Sequence, residues 1–438
     1  MTGTGPPGSS DASGTPEPPG TPDPPGTPGP PGTPDPPGTP DPPGSASHSA
    51  GPDPTGRGVP LKTVAREWTR IGVTGFGGPP AHIALLRRLM IGRKWIESGE
   101  FEDAVAACNL LPGPASTQLA IFCARWVAGP SGAVIGGLGF IVPGVALILA
   151  LSVPFLGGSP PVWIRGAGAG AGAAVAAVAV HAGIGLLPAS WTRARATTRR
   201  RVRWICYVVL GAASAAIAGS YLVLVLLACG ATEFGLSMRL GRRREISSWA
   251  PLLPLAAVGT GGISALAWVA FKVGALSYGG GFVIVPLMQG DAVHTYHWMS
   301  STQFLNAVAL GQVTPGPVLA TVAAVGYAAH GLAGGMLAAM IAFCPSFAFV
   351  LAGGGRFEQL RRDRRAQSFL DGAGPAAIGA ILGAAIPLVG ALRETWQFLL
   401  LGAAAVALLL TRVGVVATLL AAGAVGVLLA VAGAPVPP

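Results

Sequence analysis

Charge is what this chain most conspicuously lacks: only 11% of its 438 residues are Asp, Glu, Lys or Arg. A soluble domain carries about 25%, so an ordinary water-facing globule is excluded for the bulk of the chain. Cysteine is sparse as well. Cys108, Cys123, Cys206, Cys229 and Cys344 are scattered through apolar stretches, without C-x-x-C spacing or a histidine cluster. That argues against a metal centre or a disulfide framework and leaves buried small hydrophobes as the expectation. No apolar h-region precedes residue 60, so no secretory signal peptide is expected. Enzyme signatures are missing too: there is no H-E-x-x-H, no G-x-S-x-G and no facing pair of acids within an apolar stretch. A scaffold or sensor would be expected to bring a recognisable soluble domain, and none is seen.

What is present is apolar and small: 51% hydrophobic residues and 66 glycines, a mixture that suits helices packed closely in lipid. The net charge of +10 sits in short basic runs at residues 193–203, 239–244 and 356–365, between apolar stretches. Runs of this kind mark cytoplasmic loops of membrane proteins rather than a nucleic-acid surface. Residues 1–58 are a low-complexity tail in which G-T-P-x-P-P occurs five times between Gly14 and Pro43. Glycine does not recur at every third position, which rules out collagen, and such a segment favours polyproline II and cannot bury a core, so disorder is expected.

Beyond the tail, apolar stretches of bilayer-crossing length recur at 132–156, 166–187, 250–268, 333–353, 369–391, 396–411 and 413–433. Residues 204–238 read either as two short spans turning near Gly219 and Ser220 or as one long tilted helix. An internal repeat organises these segments. Gly72-Val73-Thr74-Gly75-Phe76-Gly77-Gly78 aligns with Gly274-Ala275-Leu276-Ser277-Tyr278-Gly279-Gly280 at an offset of 202. One residue is then gained, and Trp95, Phe101 and Pro112-Gly113-Pro114 match Trp298, Phe304 and Pro315-Gly316-Pro317 at 203. Two duplicated units follow, 62–238 and 265–433, joined by a connector at 239–264 that carries one span.

Charge distribution sets their expected orientation. Loop 87–94 holds Arg87, Arg88, Arg93 and Lys94, whereas its partner 288–302 has no Lys or Arg and contains Asp291. Residues 157–164 carry no Lys or Arg, while the matching loop of the second unit has five arginines from Arg356 to Arg365. By the positive-inside rule the units are inverted. The expected fold class is therefore all-α, a polytopic membrane protein of two inverted homologous repeats containing broken, re-entrant helices. The breaks should fall at Gly75-Phe76-Gly77-Gly78-Pro79-Pro80, at the two Pro-Gly-Pro motifs and at the second aromatic-Gly-Gly, giving nine crossings and four re-entrant elements.

Irregular backbone at membrane depth is tolerated only where it is buried in protein or lines a cavity. Helix N-termini at such breaks present free N–H groups and partial positive charge, so a small anion held largely by backbone is the expected ligand. Gly77, Gly78, Gly279 and Gly280 would let the backbone come close; tight helix packing alone is the alternative. Arg70 and Lys272, at equivalent repeat positions, could supply counter-charge. His82 could donate to the anion or shuttle a proton. Gln118, Asn109 and Gln312, beside the Pro-Gly-Pro breaks, are neutral donors. Glu233 and Asp371 are the candidates for taking a coupling proton, an interfacial position being the plainer alternative.

These motifs resemble the chromate ion transporter family in its two-domain form. The resemblance rests on Gly75-Phe76-Gly77-Gly78-Pro79 with Ala81-His82-Ile83, on Trp95, on Leu111-Pro112-Gly113-Pro114 with Gln118, and on Tyr278-Gly279-Gly280-Gly281 and Thr314-Pro315-Gly316-Pro317. It spans residues 60 to 433 and implies gradient-driven efflux of chromate from the cytoplasm across the inner (plasma) membrane, with resistance as the phenotype. Sulfate, a dianion of similar size and shape, would be the competitor. Gly281 departs from the pattern by standing where a proline is expected. The partners implied are chromate or sulfate and the lipid bilayer, with a homodimer as a candidate assembly and no cofactor, metal or nucleic acid.

Overall fold

The computed structural model describes residues 58–109, 111, 113–158, 160–195, 197–217, 222–240, 262–277, 282–353 and 363–437. Among these the regular structure is helical, with no β-strand. The tail, most of the connector, Pro112, Gly279, Gly280 and the turn at Gly219 and Ser220 lie outside the described residues.

The first helix, α1 (Leu61–Thr74), is set by spacing: Val64, Glu67, Trp68, Ile71 and Gly72 fall on one face and are buried. Trp68 donates its indole N–H to the Ala120 carbonyl at 2.7 Å, and Gly72 meets the backbone of Phe140 so closely that a methyl group there would lie 2.8 Å from its carbonyl. The chain then breaks at Gly77 and Gly78, both at positive φ (98° and 74°), and restarts as α2 (Pro79–Gly92) with Pro79 in the first turn. Next come α3 (Ser98–Cys108), the Pro-Gly-Pro turn and α4 (Ala115–Leu156). At about 1.5 Å per residue, α1, α2 and α3 each reach about 21 Å or less, short of a hydrocarbon core of about 30 Å. None of them crosses alone.

At 42 residues α4 would overshoot a bilayer, and it is kinked at Ala128 and Gly129. The same kink recurs in α11 (Thr321–Gly353), at His330 and Gly331. Gly129 has φ 65° and ψ −161°, and Gly331 has φ 62° and ψ −156°. The intervening elements are α5 (Val162–Ala194), α6 (Thr198–Ile217), α7 (Leu222–Leu240), α8 (Ile263–Leu276), α9 (Ile284–Gln289) and α10 (Ser301–Val313). After α11 come α12 (Arg364–Gly383), α13 (Ala385–Gly390), α14 (Thr395–Leu410) and α15 (Val415–Val431). The residue gained in the second repeat has a structural counterpart: α9 runs on into a π-helical turn, Gly290–Thr295. A π-turn is how a helix absorbs an extra residue without losing its ends. Register is then restored, because Lys94 (φ 56°) and His297 (φ 52°) are the non-glycine residues at positive φ among those described, and they are equivalent at 203.

Packing links the two halves of the chain. Helix α5 lies along α14 and α15, and α12 lies along α6 and α7. Glycine makes both seams tight: a methyl group at Gly170 would come 2.2 Å from the Ala422 carbonyl, and one at Gly211 would come 1.9 Å from that of Ala376. Outward faces carry Val142, Met340, Leu399, Leu410 and Val431, all exposed. Among the described residues four helices, Ala115–Leu156, Val162–Thr192, Val318–Ala352 and Gln367–Gly390, are long and apolar enough to cross a membrane, and those bare apolar faces fit contact with lipid.

Three expectations need correction. Segment 87–94 is mostly helix, not loop: Arg87 and Arg88 project from α2 while Leu86 and Met90 on its other side are buried. Segment 288–302 begins inside the helical arm, where Gln289 and Asp291 are buried. Cys206 and Cys344 are exposed rather than buried, because their helices turn those positions outward. Residues 204–238 form two helices, α6 and α7, rather than one.

Candidate functional site

The break after α1 meets the second Pro-Gly-Pro break. The Gly75 carbonyl accepts the Gly316 N–H at 3.1 Å and lies 2.9 Å from His82 Nε2. A carbonyl can only accept, so Nε2 carries the proton. The imidazole is fully buried and stands edge-on to Phe140, with ring centroids 5.0 Å apart, and its Nδ1 has no hydrogen-bond partner. A methyl group at Gly78 would sit 3.7 Å from Val318, and one at Gly144 of α4 would sit 2.5 Å from the Pro315 carbonyl. Gly75 and His82 thus share one buried region with Pro315, Gly316 and Val318, with the half-buried Gly78 at its edge and Gly77 exposed. Pro79 and Pro80 lack N–H groups, and His82 N–H already donates to Gly78. The first turn of α2 can therefore offer a ligand at most one N–H, that of Ala81.

The first Pro-Gly-Pro break is chemically richer. Gly113 has φ 115°, and Ser116, Thr117 and Gln118 in the opening turn of α4 are all buried. A methyl group at Gly113 would lie 2.6 Å from Gln118 Nε2 and 3.5 Å from Ser346 Oγ on α11. Ser346 was not singled out from sequence, although the repeat pairs it with Gly144, and a hydroxyl replacing a glycine within an apolar helix was the available signal.

The expected charges are distributed unevenly. Lys272 is buried, but its ammonium is paired with Asp291 of the π-turn. Arg70 is exposed and comes only to 4.0 Å from Glu67. Glu67, overlooked in the sequence, is a buried carboxylate on α1 that also takes Arg93 at 2.7 Å and Arg66 at 3.1 Å. Arg93 in turn stacks over Trp95. Glu233 is held by Arg203 of α6 at 2.5 Å, with the Tyr207 hydroxyl at 3.4 Å. Glu233 and Asp371 line one cleft of about 120 Å³ between α6, α7 and α12, together with Arg203 and Tyr207.

Comparison with known proteins agrees with this architecture. A family described as chromate transporter matches residues 62–234 and 264–427. A chromate transport protein of Cupriavidus metallidurans is 32% identical over 339 residues, covering 75% of this chain and 82% of that protein. A chromate transport protein of Pseudomonas aeruginosa is 29% identical over 376 residues, 82% of this chain and 89% of that one. An uncharacterized transporter of Methanocaldococcus jannaschii is 23% identical over 316 residues, 67% and 76% respectively. No solved structure matches.

Proposed function

The chain belongs to the chromate transporter family, a multi-pass membrane protein with a transport rather than a catalytic role, and on that premise we propose that it exports chromate across the inner membrane and confers chromate resistance. The observation that carries the proposal is the hydrogen bond from Gly316 to Gly75, which joins a break of one half to a break of the other. Irregular backbone inside a membrane protein is tolerated where it is buried in protein or lines a substrate path, and this bond buries one break of each half at the join between them. Relatives named as chromate transport proteins support chromate as the substrate. Sulfate shares the tetrahedral dianionic form, and a site built largely from backbone and neutral donors would admit it as a competitor.

The two halves are inverted repeats in this proposal. Their matched kinks, the matched positive φ of Lys94 and His297 and the two matched family segments support the duplication, and the uneven basic charge of equivalent segments supports the inversion. Coupling to an ion gradient is assigned to the cleft of Glu233 and Asp371, two carboxylates contributed by different halves. The test is uptake of radiolabelled chromate by inside-out vesicles, with and without a proton gradient and with sulfate as competitor. Gradient-dependent uptake that excess sulfate reduces is expected. Uptake no greater than that of vesicles lacking the protein would overturn the assignment.

A further inference from the structure

The duplication suggests two equivalent anion sites, one at each Pro-Gly-Pro turn, yet the two turns are not chemically equal. After Pro114 the chain reads Ala115-Ser116-Thr117-Gln118; after Pro317 it reads Val318-Leu319-Ala320-Thr321. The opening turn of α4 therefore carries a hydroxyl, a hydroxyl and a carboxamide where its counterpart carries two apolar side chains and one threonine. Thr321 is already committed, since its hydroxyl donates to the Val318 carbonyl at 2.8 Å.

The surroundings differ in the same sense. Each turn packs against the long helix of the opposite half at equivalent positions 202 apart: Gly113 against Ser346 on α11, and Gly316 against Gly144 on α4. The atoms nearest Gly316 are backbone, with the Gly144 Cα 3.4 Å from where a methyl group would sit. Against Gly113 there is the Ser346 hydroxyl. A helical serine ordinarily returns its hydrogen bond to a carbonyl one turn back, as Ser152 does to Ile148 at 2.7 Å. Ser346 Oγ makes no hydrogen bond, although the residue has no exposed surface, and Thr117 Oγ1, likewise fully buried, has none either. A buried hydroxyl left without a partner costs about 1–3 kcal/mol; other buried side-chain atoms lack one too, Gln312 Nε2 before the second turn among them, but these two are hydroxyls, one in the opening turn of α4 and one facing Gly113.

We propose that the chain has one oxyanion site rather than two: the N-terminus of α4 at Gly113, completed from the other half by the Ser346 hydroxyl, with Thr117 as a further donor. The second Pro-Gly-Pro turn is a packing element whose Gly316 braces Gly75. Hydroxyl donors with a helix N-terminus suit a divalent tetrahedral oxyanion, whose charge is spread over several oxygens. The groups are buried on all sides, so loading requires α4 and α11 to part at this level.

This inference rests on the transport assignment and is tested separately from it, in vesicles where the wild type is first shown to take up chromate. Ser346→Ala should raise the apparent KM for chromate about tenfold, the scale of a lost hydrogen bond to a charged partner. Thermal stability of the substrate-free protein should not fall, because the deleted hydroxyl contributed no bond. Ser346→Thr, which keeps the hydroxyl, should recover part of the affinity, and Ser152→Ala should leave KM unchanged. Labelled sulfate should bind the purified wild type at one ion per chain. An unchanged KM in Ser346→Ala, or two bound ions per chain, would overturn the single-site proposal while leaving chromate transport standing. Should Ser346→Ala unfold, the same decision falls to Thr117→Val, expected to raise KM without loss of stability.

Discussion

Lys272 on α8 and Asp291 in the π-turn form a buried ion pair across the second half, and the buried carboxylate of Glu67 on α1 pairs with the half-exposed Arg93 beyond α2 across the first. The two ties join corresponding elements with reversed polarity: base on the first helix in one half, acid on the first helix in the other. Each fastens a short, non-crossing helix to the arm that follows its break.

Removing Lys272 should therefore damage stability before it touches affinity. Lys272→Gln leaves Asp291 charged and buried without a partner, a change worth about 3–5 kcal/mol. The double variant Lys272→Gln with Asp291→Asn should restore most of that loss. Thermal unfolding of the purified variants in detergent measures both, and a stable single variant would show that Asp291 does not depend on Lys272.

The arginines around Glu67 should be unequal. Arg93, at 2.7 Å and stacked on Trp95, is the strong partner; Arg70, at 4.0 Å with its side chain 76% exposed, is the weak one. Arg70→Gln should change stability by about 0.5 kcal/mol or less, whereas Arg93→Ala should cost about 1–2 kcal/mol, as a charge-assisted bond to a buried carboxylate. An equal effect of the two variants would contradict the assignment.

Glycine substitutions should divide by what the new methyl group meets. Gly211→Ala would drive a methyl group to 1.9 Å from the Ala376 carbonyl, and Gly379→Ala would do the same against Val208. Both should separate α12 from α6 and reduce the yield of folded protein. Gly402, within α14, has nothing within 4 Å of the added methyl group, so Gly402→Ala should stabilise by about 0.5–1 kcal/mol through helix propensity alone. Fluorescence-detected size exclusion of the variants would separate the two outcomes.

Orientation can be read with single cysteines at exposed positions in equivalent arms. After Cys206 and Cys344 are replaced, Arg88→Cys and His294→Cys should react with an impermeant thiol reagent from opposite sides of the membrane, His294→Cys from outside. Gln289 would be a poor probe because it is buried. Labelling of both positions from the same side would favour parallel repeats.

The sequence by itself determined the membrane class and several of the places where helices stop, and it is the ground on which the duplication is proposed. Those are local properties: apolar length, a recurring aromatic-Gly-Gly, and glycine or proline that cannot continue a helix. Gly77, Gly78 and Gly113 sit at positive φ where such residues were read as breaks. Only the tertiary structure decided which break faces which, that α5 and α12 each pack on the other half, and that Lys272 has a partner in Asp291. The long helices α4, α5 and α11 are apolar on nearly every face, so no periodicity says which neighbour each side will meet. An ion pair between residues on separate elements, or a serine on α11 turned toward a glycine 233 positions earlier in the chain, exists only once those faces have chosen one another.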